Sequence, residues 1–426
     1  MNEAEEFYSK ALPVFFDTET TINNVGDSAV GEMAASPFCQ DNYVVYLGTK
    51  TPHEQGAQID EGLELYDFIL DVNKRNKKTL LVAQNIAFDL LHLAQGNSTQ
   101  TMRRLLCSKD VALWDVMLVE YLLTGQQLKW ANLDTLATIY GGTVKDSRIK
   151  EYWEAGVCTS KIPREEIIPY LEDDVKNLQI IFEGQMKEAK RLGMLPLIRS
   201  QMRARAMTIL MECNGMKFDL AKAHKQKEEL AVIVKQREEN IVKAMMEVYN
   251  PIGFDLPDPE INPASRKQLA VILFGGSLSV KVDEIQYDEL GAAIVYKTGA
   301  KKGEVKTKKA IHHIFVKGMF PSTVASSLPK TPSGEVSTDT ETLETLLKKH
   351  ATTPQQGEFL KELIAYREES KMLITYFDGY SKLVWPDGRI HGQLNHCQTN
   401  TGRLSSSKPN LQNISNKSME VDDESL

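Results

Sequence analysis

No apolar run in this sequence approaches the roughly 20 residues that a membrane-spanning helix requires, so no membrane partner is expected. Cysteine is scarce: five residues, at 39, 107, 158, 213 and 397, odd in number and without a C-x-x-C pair. That spacing excludes a disulfide framework and a zinc knuckle, and points to free thiols in a reducing compartment. The opening MNEAEEFYSK is acidic and polar, unlike a secretory signal. These features together place the protein in the cytoplasm. Internal repeats and extended low-complexity tracts are also missing, which excludes solenoids and fibrous arrays.

What is present is ordinary globular composition, 42% hydrophobic and 25% charged over 426 residues, enough for two or three domains. The net charge of −8 is unevenly spread. Residues 1–190 hold 18 basic and 29 acidic side chains, whereas the remainder is mildly basic. An acidic metal site in front and a phosphate-contacting surface behind would produce that asymmetry, as would plain surface solvation.

The pattern predicts strands over 11–20, 41–49 and 77–85, with helical spacing over 60–75 and 87–95. Residues 111–125 pass from strand to helix, 133–142 form a short helix stopped by a glycine pair, and 163–193 form a long helix that Pro169 should kink. Helices with strands between them give an α/β domain over 1–192. Residues 195–249 read as helix, break at Asn214-Gly215, and helix. Ser265 caps a further helix, strands flank a Gly/Lys-rich turn in 277–335, and helices follow at 338–350 and 355–380.

Three stretches carry chemistry. In FFDTET, Asp17 and Glu19 stand at i and i+2 of a strand, hence on one face. Two adjacent carboxylates repel, and a divalent cation with oxygen ligands relieves the repulsion. In QNIAFDL, Asn85, Phe88 and Asp89 sit where a strand passes into a helix. In YLEDDV, Tyr170 and Asp174 share a helix face at i, i+4. Each stretch alone is explained by a helix cap or a solvated acidic face. The ordered set could hold two cations about 3.5–4 Å apart for in-line attack on a phosphodiester.

These three motifs, Asp-x-Glu, Asn-x-x-Phe-Asp and Tyr-x-x-x-Asp, resemble those of the DEDDy 3′–5′ exonucleases. The resemblance implies a ribonuclease-H-like fold, a mixed sheet flanked by helices. It implies Asp17, Glu19, Asp89 and Asp174 as ligands of two Mg²⁺ (or Mn²⁺), Tyr170 as the residue that positions water, and Asn85 and Phe88 as contacts to the substrate strand.

The rest of the chain resembles family A DNA polymerases. ILMECNGMKFD (209–219) is similar to the opening of their thumb, and INPASRKQLAVILF (261–274) to the thumb tip. GRIHGQLNHCQTNTGRLSSSKPNLQNIS (388–415) is similar to the start of their palm. The implied order is exonuclease 1–192, mainly helical thumb 193–380, partial palm 381–415 and acidic tail 416–426. Ser265, Arg266 and Lys267, at a helix N-terminus, suit phosphates. Arg403, Asn410, Gln412 and Asn413 are donor-rich side chains suited to minor-groove acceptors. Single-stranded and primer–template DNA are the expected partners.

In that family the polymerase metals and the fingers helix come after this motif. Asp422, Asp423 and Glu424 lie in a polar tail and are read as solvated. With only sixteen residues before Asp17, no 5′-nuclease domain is expected. The reading is therefore the proofreading subunit of a split polymerase, unable to polymerise alone, with a second polypeptide carrying fingers and remaining palm. Removing the chain after about residue 380 is expected to spare the exonuclease, and the palm piece is expected to expose apolar surface. The alternatives are a free-standing exonuclease and a non-catalytic DNA-gripping scaffold. The lysines at 297, 301, 302, 306, 308 and 309 belong to an insertion similar to phage versions of the family, placing the protein in a host bacterial cytoplasm. That insertion could grip duplex DNA, dock a processivity factor or be a solvated hairpin. His312 and His313 lack a nearby third ligand and are not read as a metal site.

Overall fold

Val14, Phe15 and Phe16 are buried in succession, which requires a strand covered on both faces. In the computed structural model that strand, β1 (Leu12–Thr20), is the middle of a five-stranded mixed sheet in the order β3-β2-β1-β4-β5. β2 (Val44–Lys50) runs antiparallel to both β1 and β3 (Gln58–Glu61). β4 (Thr79–Ala83) and β5 (Val111–Asp115) run parallel to β1. The structure describes residues 3–21, 35–39, 41–74, 78–95, 99–143, 148–250, 259–298 and 301–414. Asp422, Asp423, Glu424 and the rest of the expected acidic tail lie outside them.

The chain divides into two compact units, the first running to Leu220 and resuming at Lys382, the second spanning Ala221–Ser381. The sheet belongs to the first. Its helices are α1 (Glu3–Lys10), α2 (Leu65–Lys74), α3 (Ala87–Leu93), α4 (Thr99–Leu106), α5 (Val116–Leu123), α6 (Leu133–Tyr140), α7 (Arg148–Glu154), α8 (Arg164–Arg191) and α9 (Leu195–Asn214). α8 runs without interruption through Pro169, where a kink was expected. The expected boundary after residue 192 does not coincide with this division. Ile198, Met202, Ala206 and Ile209 of α9 are buried in the core that also holds Phe15, Leu80 and Trp114, so α9 belongs with the sheet.

The segment from 382 onward also returns to this unit. β9 (Arg389–Ile390) pairs with β6 (Met216–Lys217), and β10 (Gln393–Asn395) pairs with β11 (Ser405–Ser407). Cys397 joins the first core, and Tyr121 donates its hydroxyl to the Thr399 carbonyl at 2.6 Å. The expected palm piece therefore packs with the first unit, and truncation near residue 380 would remove part of that unit. Among the described residues after 381, only Ile414 is an exposed large apolar side chain.

The second unit is helical apart from one hairpin. α10 (Leu220–Tyr249) buries Leu230, Val234, Ile241 and Met245 against α11 (Arg266–Phe274), α13 (Thr340–Lys349) and α14 (Pro354–Lys371), with α12 (Ser322–Ser327) beside them in sequence. Arg237 of α10 donates to Glu362 and Glu369 of α14, each at 2.8 Å. α14 continues as a π-helical turn over Met372–Gly379 in place of the single α-helix expected to 380. The insertion is a ten-pair antiparallel hairpin of β7 (Gly276–Ile285) and β8 (Thr307–Val316). His312 meets Glu284 at 2.9 Å and His313 meets Ser279 at 3.2 Å, both as hairpin cross-strand contacts.

One glycine sets the approach of α8 to the sheet. Gly48 is paired with Asp17 across β1 and β2. A Cβ there would lie 2.9 Å from Val175 Cγ2 and 3.0 Å from Leu171 Cγ, both on α8. Overpacking of this kind costs about 1–3 kcal/mol. Gly48→Val is therefore expected to lower the melting temperature and displace Asp174. A variant melting with wild type would show that α8 accommodates the side chain freely.

Candidate metal centre and DNA-contacting surface

The alternation of β1 puts Asp17 and Glu19 on one face, and α8 crosses that face with Asp174. One carboxylate oxygen from each of Asp17, Glu19 and Asp174 lies within 4.8 Å of the others, and Glu19 and Asp174 are buried. Tyr170 precedes Asp174 by one turn, its ring edge-on to Trp153 at 5.9 Å. Among the described residues this is the one acidic, histidine or cysteine group with metal-ligand spacing.

The structure does not bring Asp89 into that triad. It lies at the start of α3, where its Oδ1 accepts from the Thr18 amide at 3.1 Å and the Thr18 hydroxyl at 2.7 Å. Thr18 is the residue between Asp17 and Glu19, so Asp89 is tied to the same stretch of β1. Asp89 Oδ2 is buried without a hydrogen-bond partner. Burial raises the Asp89 carboxyl from 3.8 to about 7, the two Thr18 bonds oppose that, and the charge of Asp115 adds to it. A buried carboxylate oxygen without a donor is a hard oxygen ligand of the kind that divalent cations take. The three acids that converge offer the oxygen donors a divalent cation takes, and Asp89 stands outside their cluster.

Asn85 and Phe88 lie at the β4–α3 junction and line a cleft of about 240 Å³ with Phe38, Trp130, Arg205 and Lys408. Asn85 has φ of 49°, a left-handed conformation that non-glycine residues adopt uncommonly. Three participants were missed from the sequence: Arg205, Asp115 and Glu212, all buried. Arg205 gave a readable signal, since it interrupts the apolar face formed by Ile198, Met202, Ala206 and Ile209.

The other candidates lie apart in the chain. Ser265 caps α11, its hydroxyl accepting from the Gln268 amide at 3.4 Å, while Arg266 and Lys267 are exposed on the first turn. Arg367 is a neighbour that sequence reading overlooked. Burial, then the Arg266 charge, holds its guanidinium below its usual range. Arg403 is exposed. Asn410 and Gln412 support their own loop: Asn410 Oδ1 accepts from the Gln412 amide at 3.2 Å, and Gln412 Nε2 donates to the Leu404 carbonyl at 3.0 Å. Asn413 is exposed on the same short turn.

These charges set two expectations for thermal melts. Manganese at millimolar concentration should raise the melting temperature of wild type and raise that of Asp174→Asn far less; equal shifts would remove the cation site. The folded Asp89 carboxyl near 7 lies above its unfolded value, so the native state holds the extra proton and loses stability as pH rises from about 4 to 7. In EDTA, wild type should lose stability over that window relative to Asp89→Asn, and parallel profiles would contradict the buried, cation-less carboxylate.

A family model of DNA polymerase family A matches residues 276–423, a segment that contains Arg403, Asn410, Gln412 and Asn413. DNA polymerase I of Pseudomonas aeruginosa is 25% identical over 415 residues, covering 94% of this chain and 36% of that protein. DNA polymerase I of Bacillus subtilis is 27% identical over 309 residues, covering 68% of this chain and 28% of that protein. The chain therefore spans 28% to 36% of the length of these two relatives. A solved structure, the POL domain of Pol1 from M. smegmatis in complex with DNA primer-template and dNTP, superposes with a TM-score of 0.59 at 18% identity, over 97% of this chain and 54% of that one. That likeness is one of fold. The match to the family model is confined to residues 276–423.

Proposed function

We propose that this chain is a 3′–5′ DNA exonuclease joined to DNA-holding parts of a family A polymerase, and that it trims mispaired primer ends during replication. The observation that carries the reading is the convergence of Asp17, Glu19 and Asp174 within 4.8 Å, with Asp89 held on the intervening Thr18. The strand order, with β2 the single antiparallel member of the sheet, supports a ribonuclease-H-like reading of the first unit.

On this reading Asp17, Glu19, Asp89 and Asp174 hold two Mg²⁺ or Mn²⁺. Bound there, such cations supply positive charge against the phosphodiester and lower the pKa of water. The residues do the rest. Asn85 and Phe88 line the cleft and hold the unpaired strand. Tyr170 orients the attacking water through its hydroxyl. Arg266, Lys267 and the N-terminus of α11 face phosphate, and Arg403 and Asn413 face the duplex. The basic hairpin holds duplex DNA or a processivity factor. Nucleotide addition on this reading requires fingers and a metal-bearing palm, the parts that follow this segment in the family it resembles.

The test uses a 5′-labelled, mispaired primer–template with Mg²⁺ and all four nucleotides. Shortening without extension is expected. Asp17→Ala or Asp174→Ala should abolish shortening while DNA binding stays near wild type. Unaltered digestion by either variant would sink the metal assignment. Extension by wild type alone would remove the need for a second polypeptide, and an unchanged primer would leave the non-catalytic scaffold.

A further inference from the structure

Arg205 is a buried cation in the middle of α9, and burial of a guanidinium is costly unless its donors are matched. Its Nη2 donates to Asn85 Oδ1 at 2.9 Å and its Nη1 to the Leu394 carbonyl at 3.3 Å. Its Nε lies 3.4 Å from Asp115 Oδ2, an ion pair without hydrogen-bond alignment. Asp115 in turn accepts the backbone amide of Asn85 at 3.0 Å. One ion pair therefore grips both the backbone and the side chain of Asn85, the residue in the left-handed conformation. Glu212, two turns further along α9, accepts the Leu394 amide at 2.6 Å. The cleft wall contributed by β10 and the Asn85 side chain share one anchor.

This arrangement fixes the orientation of an amide. With its oxygen committed to Arg205, the carboxamide of Asn85, which lines the cleft, is left with its nitrogen, a donor only, for other partners. We propose that Arg205 is a positioning residue for Asn85: it holds that donor toward acceptor groups of a single nucleic-acid strand, and so sets the affinity for the strand while leaving the rate of hydrolysis alone. The proposal rests on the exonuclease reading for its substrate and on the contacts of Arg205 for its logic.

The experiment is a double-mutant cycle of Asn85→Ala and Arg205→Lys in the full chain, read as kcat and KM on a 5′-labelled single-stranded oligonucleotide, with melting temperatures beside them. Loss of a hydrogen bond held by a charged group should raise KM about tenfold in each single variant, with kcat within about twofold of wild type. In the Asn85→Ala background, Arg205→Lys should add nothing, because its effect passes through Asn85. Equal, additive KM losses would overturn the proposal, as would an unchanged KM in folded Arg205→Lys. If Arg205→Lys does not fold, Asn85→Asp decides. It keeps an oxygen for Arg205 and removes the donor, so KM should rise in a stable protein, and an unchanged KM would overturn the proposal. Should wild type fail to digest DNA, the exonuclease reading falls separately. The same cycle is then read by anisotropy of the labelled oligonucleotide in EDTA. Coupling between the two positions there sustains the role of Arg205, and additivity or absence of binding ends it.

Discussion

Asp17, Glu19 and Asp174 would separate if their own electrostatics decided the matter. Like charges a few ångströms apart with low-dielectric walls repel strongly, so the packing beneath must hold them. Phe15 and Phe16 lock β1 on both faces, Leu171 and Val175 lock α8 against β2, and Gly48 leaves no side chain to keep the two apart. The acidic centre is in this sense a strain imposed by the core. Asp89 resists ionisation for a different reason: burial raises its carboxyl to about 7, and the charge of Asp115 adds to that.

The carboxylates were legible because their spacings are local. A period of two places Asp17 with Glu19, and a helical turn relates Tyr170 to Asp174. The strands were legible for a similar reason, since Val14-Phe15-Phe16 and Leu80-Leu81-Val82 are short apolar runs, whereas the mixed order of the sheet was only what the resemblance implied. Gly48 was not, because nothing in VVYLGTK shows what will press against it. The return of residues 382–414 to the first unit was illegible as well. The bond from Tyr121 to Thr399 spans 278 positions, and no periodicity encodes such a pairing. Asn410 and Gln412 illustrate a different limit: their residue types suggested groove contacts, and the structure commits much of their hydrogen bonding to the loop that carries them.

Arg205 falls between these cases. A cation at a helical position between Met202 and Ile209 is visible as an anomaly, yet its partners come from β5, the β4–α3 junction and β10. Those three places are far apart in the chain, and only the fold assembles them. Burial then amplifies the consequences: the charge of Arg205 helps to keep the imidazole of His396 neutral, its value lowered to about 3 by burial first and by Arg205 second. Glu212 is pushed the other way by burial, with Arg205 opposing.

The pairing of β6 with β9 has a topological consequence. The chain leaves the first unit just after Met216–Lys217 and re-enters it just before Arg389–Ile390, and these two segments are hydrogen-bonded to each other. The neck is tightened further by the Phe218 amide on the Gly388 carbonyl at 3.1 Å and by Arg389 on the Asn214 carbonyl at 3.0 Å. The second unit is thus a closed excursion whose two ends are tied at one point. The first unit needs only that its ends meet, whatever lies between them, since lengthening a tethered loop adds little entropy once the closure is made. The excursion can grow or exchange parts while the acidic centre keeps its own frame.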